Sequence, residues 1–101
     1  MPVAELTVIL WRDIPAQVTA TDGTATARRE LPDRFQKAID AAAMTAGLIE
    51  SDAYLEGWRR TTRPCGDDLD AEVAAEAERL DADCDREALL RLTRAGGVLE
   101  A

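Results

Sequence analysis

Histidine is absent from these 101 residues, and with it goes the side chain that most often shuttles protons near neutral pH. A Ser/His/Asp or Cys/His catalytic arrangement therefore cannot be assembled within one chain. Cysteine is scarce: Cys65 and Cys84 stand alone, match none of the common zinc spacings, and are expected as reduced thiols in a reducing compartment. No run approaches the roughly 20 apolar residues that a membrane span needs. The N-terminus also lacks the basic-then-apolar pattern of a signal peptide, so the expected location is cytoplasmic, with no membrane partner. Aromatic residues are only four, Trp11, Phe35, Tyr54 and Trp58, and each is expected to anchor the core or to form a binding surface.

Acid is abundant. Twenty acidic side chains against twelve basic ones give a net charge of −8. Residues 1–63 carry 9 acidic and 8 basic side chains, whereas residues 64–101 carry 11 and 4. A chain so charged repels phosphate backbones, and nucleic acid is not an expected partner. The acidic second half reads most simply as a solvated helical surface. A chain of this length is expected to form one domain, residues 1–101, burying roughly two thirds of its unfolded surface around a single core.

Val3 to Trp11 is apolar or β-branched at nearly every position, the pattern of a central strand covered on both faces. Asp13 and Pro15 interrupt it, since proline fixes φ and has no N–H to give. A second strand, Ala16 to Thr21, meets Asp22-Gly23 and continues as Thr24 to Glu30, which predicts a hairpin closed by a type I′ turn. From Pro32, apolar residues recur at spacings of three and four through Phe35, Ile39, Ala42, Ala43 and Ala46 until Gly47 stops a first helix. Ser51 is placed to cap a second, short helix that carries Tyr54, Leu55 and Trp58 on one face, with Thr61 to Gly66 as a loop. A third helix follows with Leu69, Val73, Ala77, Leu80 and Cys84 as its stripe and acids at its dipole-favoured start. Asp85 recaps a last helix, which Gly96-Gly97 ends. The expected fold is α+β: a three-stranded antiparallel meander followed by three or four helices packed on one face.

Chemistry is harder to place. Asp67, Asp68 and Asp70 lie within one turn but lack the alternating ligands, glycine and terminal Glu of a calcium loop, and dipole compensation explains them. Cys65, beside Arg63 and before a helix start, is either a thiol with a stabilised thiolate or an ordinary loop cysteine. Cys84 reads as a small core residue. The densest constellation is aromatic and cationic. Trp11-Arg12 follows a strand, Trp58-Arg59-Arg60 is expected at a helix end, and Arg28-Arg29 leaves the third strand. Either Arg12, Arg59, Arg60 and Arg63 converge into an anion-binding fork beside a tryptophan face, or both tryptophans anchor the core while the arginines pair with Asp13, Asp52 and Glu56.

Three segments, Trp11-Arg12-Asp13-Ile14-Pro15-Ala16-Gln17-Val18, Phe35 to Asp40 and Asp52 to Arg60, carry a resemblance that spans about residues 5 to 97. In them the chain resembles the small bacterial "virulence factor" family, whose domain also occurs in conserved virulence factor C proteins. The resemblance supplies no catalytic residue. In some bacteria the family's members are grouped with folate and corrinoid methyl-transfer enzymes, which implies an accessory role in one-carbon metabolism and such an enzyme as the larger protein partner. The expected function is thus a non-catalytic interaction protein that needs no cofactor and no metal. Its expected docking residues are Trp11, Arg12, Asp13, Gln17, Trp58, Arg59 and Arg60. The rivals are a module binding a carboxylated ligand such as a folate, and a small enzyme using Cys65 or a carboxylate.

Overall fold

In a computed structural model, which describes residues 4–48 and 52–98, the first three strands run as the sequence predicts. They are β1 (Glu5–Trp11), β2 (Ile14–Thr21) and β3 (Thr26–Glu30), each pairing antiparallel with the next. Helix α1 (Asp33–Thr45) and the short α2 (Asp52–Glu56) come next. An unexpected fourth strand, β4 (Trp58–Pro64), then pairs antiparallel with β1, so the sheet order is β3-β2-β1-β4. Helices α3 (Leu69–Asp83) and α4 (Arg86–Arg94) follow. The predicted three-stranded sheet is thus corrected to four strands, with four helices among the described residues.

That fourth strand explains the composition of β1. In a three-stranded meander β1 would be an edge, yet its near-continuous apolar run suits an inner strand. β4 makes it one. The expectation that β1 is covered on both faces does not hold over its length. Leu6 and Val8 are buried with Val18, Ala20 and Ala27 beneath Leu69, Val73 and Ala77 of α3. Thr7 and Ile9, which point the other way, are only partly buried, like their register partners Thr19 and Gln17. We refer to this second side as the polar face.

Proline in an inner strand needs a special place. Pro15 has one: between Ile9 and Leu10 the β1–β2 register shifts, with Ile9 opposite Gln17 and Leu10 opposite Pro15, leaving Ala16 as the extra residue of a bulge. The strand therefore starts at Ile14, earlier than the predicted Ala16. At the other end of β2 the hairpin is not a two-residue type I′ turn. Thr21 pairs with Thr26 across a four-residue loop in which Gly23 alone has positive φ. The Asp22 carboxylate, held below the ordinary aspartate value by these bonds, accepts from the N–H groups of Thr24 and Ala25, both at 2.8 Å. An aspartate can close a turn this way without a left-handed conformation of its own.

Helix α1 buries Phe35, Ala38, Ile39, Ala42 and Ala43 against α4 and β2, and Arg34 pairs with Asp81 of α3. Asp68 and Asp85 cap α3 and α4 by accepting from the Ala71 and Ala88 N–H groups. The predicted cap Ser51 and the strand start Val3 lie outside the described residues.

Across α3, Glu76 is buried but not unpaired. Arg79 grips its carboxylate with bonds of 2.9 and 2.6 Å, and Arg63 of β4 reaches it at 3.5 Å. These cations, Arg79 first, hold the Glu76 carboxyl below its usual range against the opposing effect of burial. Because the folded value is the lower one, protonation begins in the unfolded chain first. The contribution of Glu76 is then complete above the ordinary glutamate value and is lost as pH falls through the depressed folded value. The stability difference between parent and Glu76→Gln, from urea melts between about pH 6 and pH 3, should shrink steadily towards acid. A difference independent of pH would show that the Arg79 and Arg63 bridge does not hold the charge.

Candidate functional site

Trp11 lies at 0% exposure, the centre of everything near the β1–β2 turn. Its indole N–H donates to the Tyr54 carbonyl at 2.7 Å. A Cβ on Gly57 would stand 2.5 Å from Trp11 Nε1, and one on Gly97 would stand 2.7 Å from Cζ3, so only glycine fits at either contact. Gly97 also has φ +91°. A packed indole thus joins β1 to the α2–β4 junction and to the end of α4.

The two-residue turn after it is held as firmly. Arg12 has φ +52°, a left-handed conformation that costs a side-chain-bearing residue of order 1 kcal/mol. Five bonds hold it there. The Arg12 N–H donates to the Gly57 carbonyl at 2.8 Å, and the Asp13 N–H donates to the Gly97 carbonyl at 2.8 Å. The Arg12 guanidinium donates to the Gly96 carbonyl at 2.9 Å, while Arg59 donates through Nε to the Arg12 carbonyl at 2.7 Å and through Nη2 to Asp13 at 2.9 Å. Trp11, Arg12, Asp13 and Arg59, all expected to dock a partner, are therefore tied into the turn itself.

Trp58-Arg59-Arg60 does not end a helix. Gly57 stops α2, and the β-favouring run Trp58, Thr61, Thr62 continues as strand. The four arginines do not converge into a fork. Arg12 and Arg59 hold the turn, Arg63 reaches Glu76, and only Arg60 remains without a hydrogen bond or ion pair to any described residue. By register Trp58, Arg60 and Thr62 lie opposite Trp11, Ile9 and Thr7, so they share the polar face with Gln17. A groove of about 390 Å³ opens there, lined by Ile9, Gln17, Glu30 and the half-buried Trp58, with Asp33 and Gln36 of α1. Its charged members are carboxylates, which suits an amine or a neutral group better than a carboxylated ligand. Arg28, also on this face, pairs with Glu30 at 3.8 Å, and Arg29 lies on the opposite side.

The thiols show no activation. Burial, then the Glu72 charge, pushes the Cys65 thiol up despite Arg63, and burial does the same to Cys84. Of the two readings of Cys65, the direction of this shift favours the ordinary cysteine over the stabilised thiolate. Among the described residues no group of three or more Cys, Asp or Glu is gathered to hold a metal ion, and no helix is long and apolar enough to cross a membrane.

The geometry defines a small α+β domain whose sheet ends in the edge strands β3 and β4, with a partly open polar face. The chain belongs to the virulence factor family, whose model matches residues 9–93. No curated protein and no solved structure matches it.

Sequence reading missed β4 and the two glycines against Trp11. The available signal was Gly57 followed by β-branched Thr61 and Thr62. Gly57→Ala should lower stability by about 1 to 3 kcal/mol through overpacking against Trp11, read from the urea midpoint. Gly66→Ala, where a Cβ would meet only Glu72 at 3.6 Å, should be near neutral. Equal midpoints for the two variants would contradict the packing described.

Proposed function

We propose that this protein is a non-catalytic interaction module that docks on a larger protein through the polar face at its β4 side, with Gln17, Trp58 and Arg60 as contact residues. The observation that carries this is Arg60. It is a cation without a hydrogen bond or ion pair to any described residue, on an exposed strand of a chain with net charge −8, beside a half-buried tryptophan. A side chain so placed adds little to folding, yet it suits charged recognition. Arg12, Arg59 and Arg63 serve the architecture that presents it. The family's grouping with folate- and corrinoid-linked methyl-transfer enzymes supports an enzyme of that class as the partner and a cytoplasmic accessory role in one-carbon metabolism. On this reading the protein itself needs no cofactor.

Affinity purification of the tagged protein from its native host checks the reading. Arg60→Glu should retain the circular dichroism and melting midpoint of the parent and lose the partner, whereas Arg59→Ala should lower the midpoint. A partner set unchanged by Arg60→Glu would remove the polar face from the account.

A further inference from the structure

The phase of the β1–β4 ladder follows from its two ends. Cys65 N–H donates to the Ala4 carbonyl at 2.9 Å, and Arg12 N–H donates to the Gly57 carbonyl at 2.8 Å. Antiparallel pairs alternate between bonded and non-bonded, so the bonded pairs between these ends are Leu6–Arg63, Val8–Thr61 and Leu10–Arg59. The Thr7 and Thr62 hydroxyls, 3.1 Å apart, fit the closer spacing of a non-bonded pair. The backbone N–H and C=O groups of Trp58, Arg60 and Thr62 therefore point away from β1, along the outer edge of the sheet.

We infer that this edge receives an extended acidic segment of a protein partner, which adds to β4 as a fifth strand. This deepens the proposed docking function and rests on it. Backbone bonding comes from the outward groups of Trp58, Arg60 and Thr62, and side-chain selection comes from the same three residues on the polar face. Charge selects the occupant. The strand Trp58–Pro64 holds three arginines and no acid, and two of those arginines are already committed, Arg59 to Asp13 and Arg63 to Glu76. An incoming strand therefore meets Arg60, the one arginine of β4 not bonded to another described residue, two positions from the apolar surface of Trp58. The segment that fits carries an acidic residue over Arg60 and an aliphatic residue two positions away over Trp58, the spacing that puts both on one side of a strand. A second copy of this chain is disfavoured, because pairing β4 with β4 sets arginines against arginines.

The test uses the full-length protein and the peptide acetyl-Thr-Val-Thr-Glu-Thr-Val-Thr-amide, which reads alike in both strand directions. Titration to millimolar peptide should shift the amide resonances of Trp58, Arg60 and Thr62 and slow their hydrogen exchange. Replacing Glu by Lys in the peptide, or N-methylating the amides on its bonding side, should abolish the effect. Arg60→Glu in the protein should weaken binding by roughly fivefold or more, and Arg60→Gln, which keeps a polar side chain on the same strand, should weaken it less. Absence of binding, binding indifferent to N-methylation, or equal binding by Arg60→Glu would overturn strand addition. If the host partner is still lost with Arg60→Glu while the peptide fails to bind, docking at the polar face stands and the strand-addition mode fails. Concentration-dependent dimerisation through β4 in sedimentation would overturn the choice of occupant.

Discussion

The indole of Trp11 has no slack around it. Glycine at position 57 and glycine at position 97 approach its two sides more closely than any Cβ allows, and its N–H is spent on the Tyr54 carbonyl. Three separate parts of the chain, β1, the α2–β4 junction and the end of α4, therefore meet at one side chain. Interiors packed to such density do not deform gradually. The left-handed Arg12, costly alone, is held because its amide, its carbonyl and its guanidinium each bond to one of those three parts or to Arg59.

This arrangement separates residues that look alike in the sequence. Arg59 and Arg60 are neighbours, and strand alternation sends them to opposite sides. Arg59 reaches back to Asp13 and the turn, while Arg60 stands opposite Ile9 in register, on the polar face. Trp11 and Trp58 are register partners, yet one is wholly enclosed and the other only partly buried beside a groove. A motif rich in tryptophan and arginine therefore divides into a structural half and a surface half. Only the second half is available to a partner.

Much of the fold could be read from the order of residues, because local rules govern it. The α1 stripe through Phe35 and Ile39, the Asp85 cap of α4, and the glycine stop after α4 all follow from spacing and capping chemistry. β4 could not be read so directly. Its residues Arg59, Arg60 and Arg63 carry no apolar alternation, since the strand is an exposed edge, and what fixes it is pairing with β1, whose partners, from Trp11↔Trp58 to Glu5↔Pro64, lie 47 to 59 positions away in sequence. The role of Arg12 was hidden for the same reason: its partners Gly57 and Gly96 are distant, and a left-handed arginine has no sequence signature. The candidate site was legible as a set of residue types, whereas its division between turn and edge needed the register.

Native-state amide hydrogen exchange tests the central claim, that the Trp11 junction is rigid architecture and the outer edge of β4 is its unpaired product. The Arg12 and Asp13 amides, bonded to the Gly57 and Gly97 carbonyls, should exchange only with global unfolding, alongside the amides of β1. The amides of Trp58, Arg60 and Thr62 should exchange as free surface groups in the isolated protein. Fast exchange at Arg12 and Asp13, or strong protection at Trp58, Arg60 and Thr62, would contradict the account.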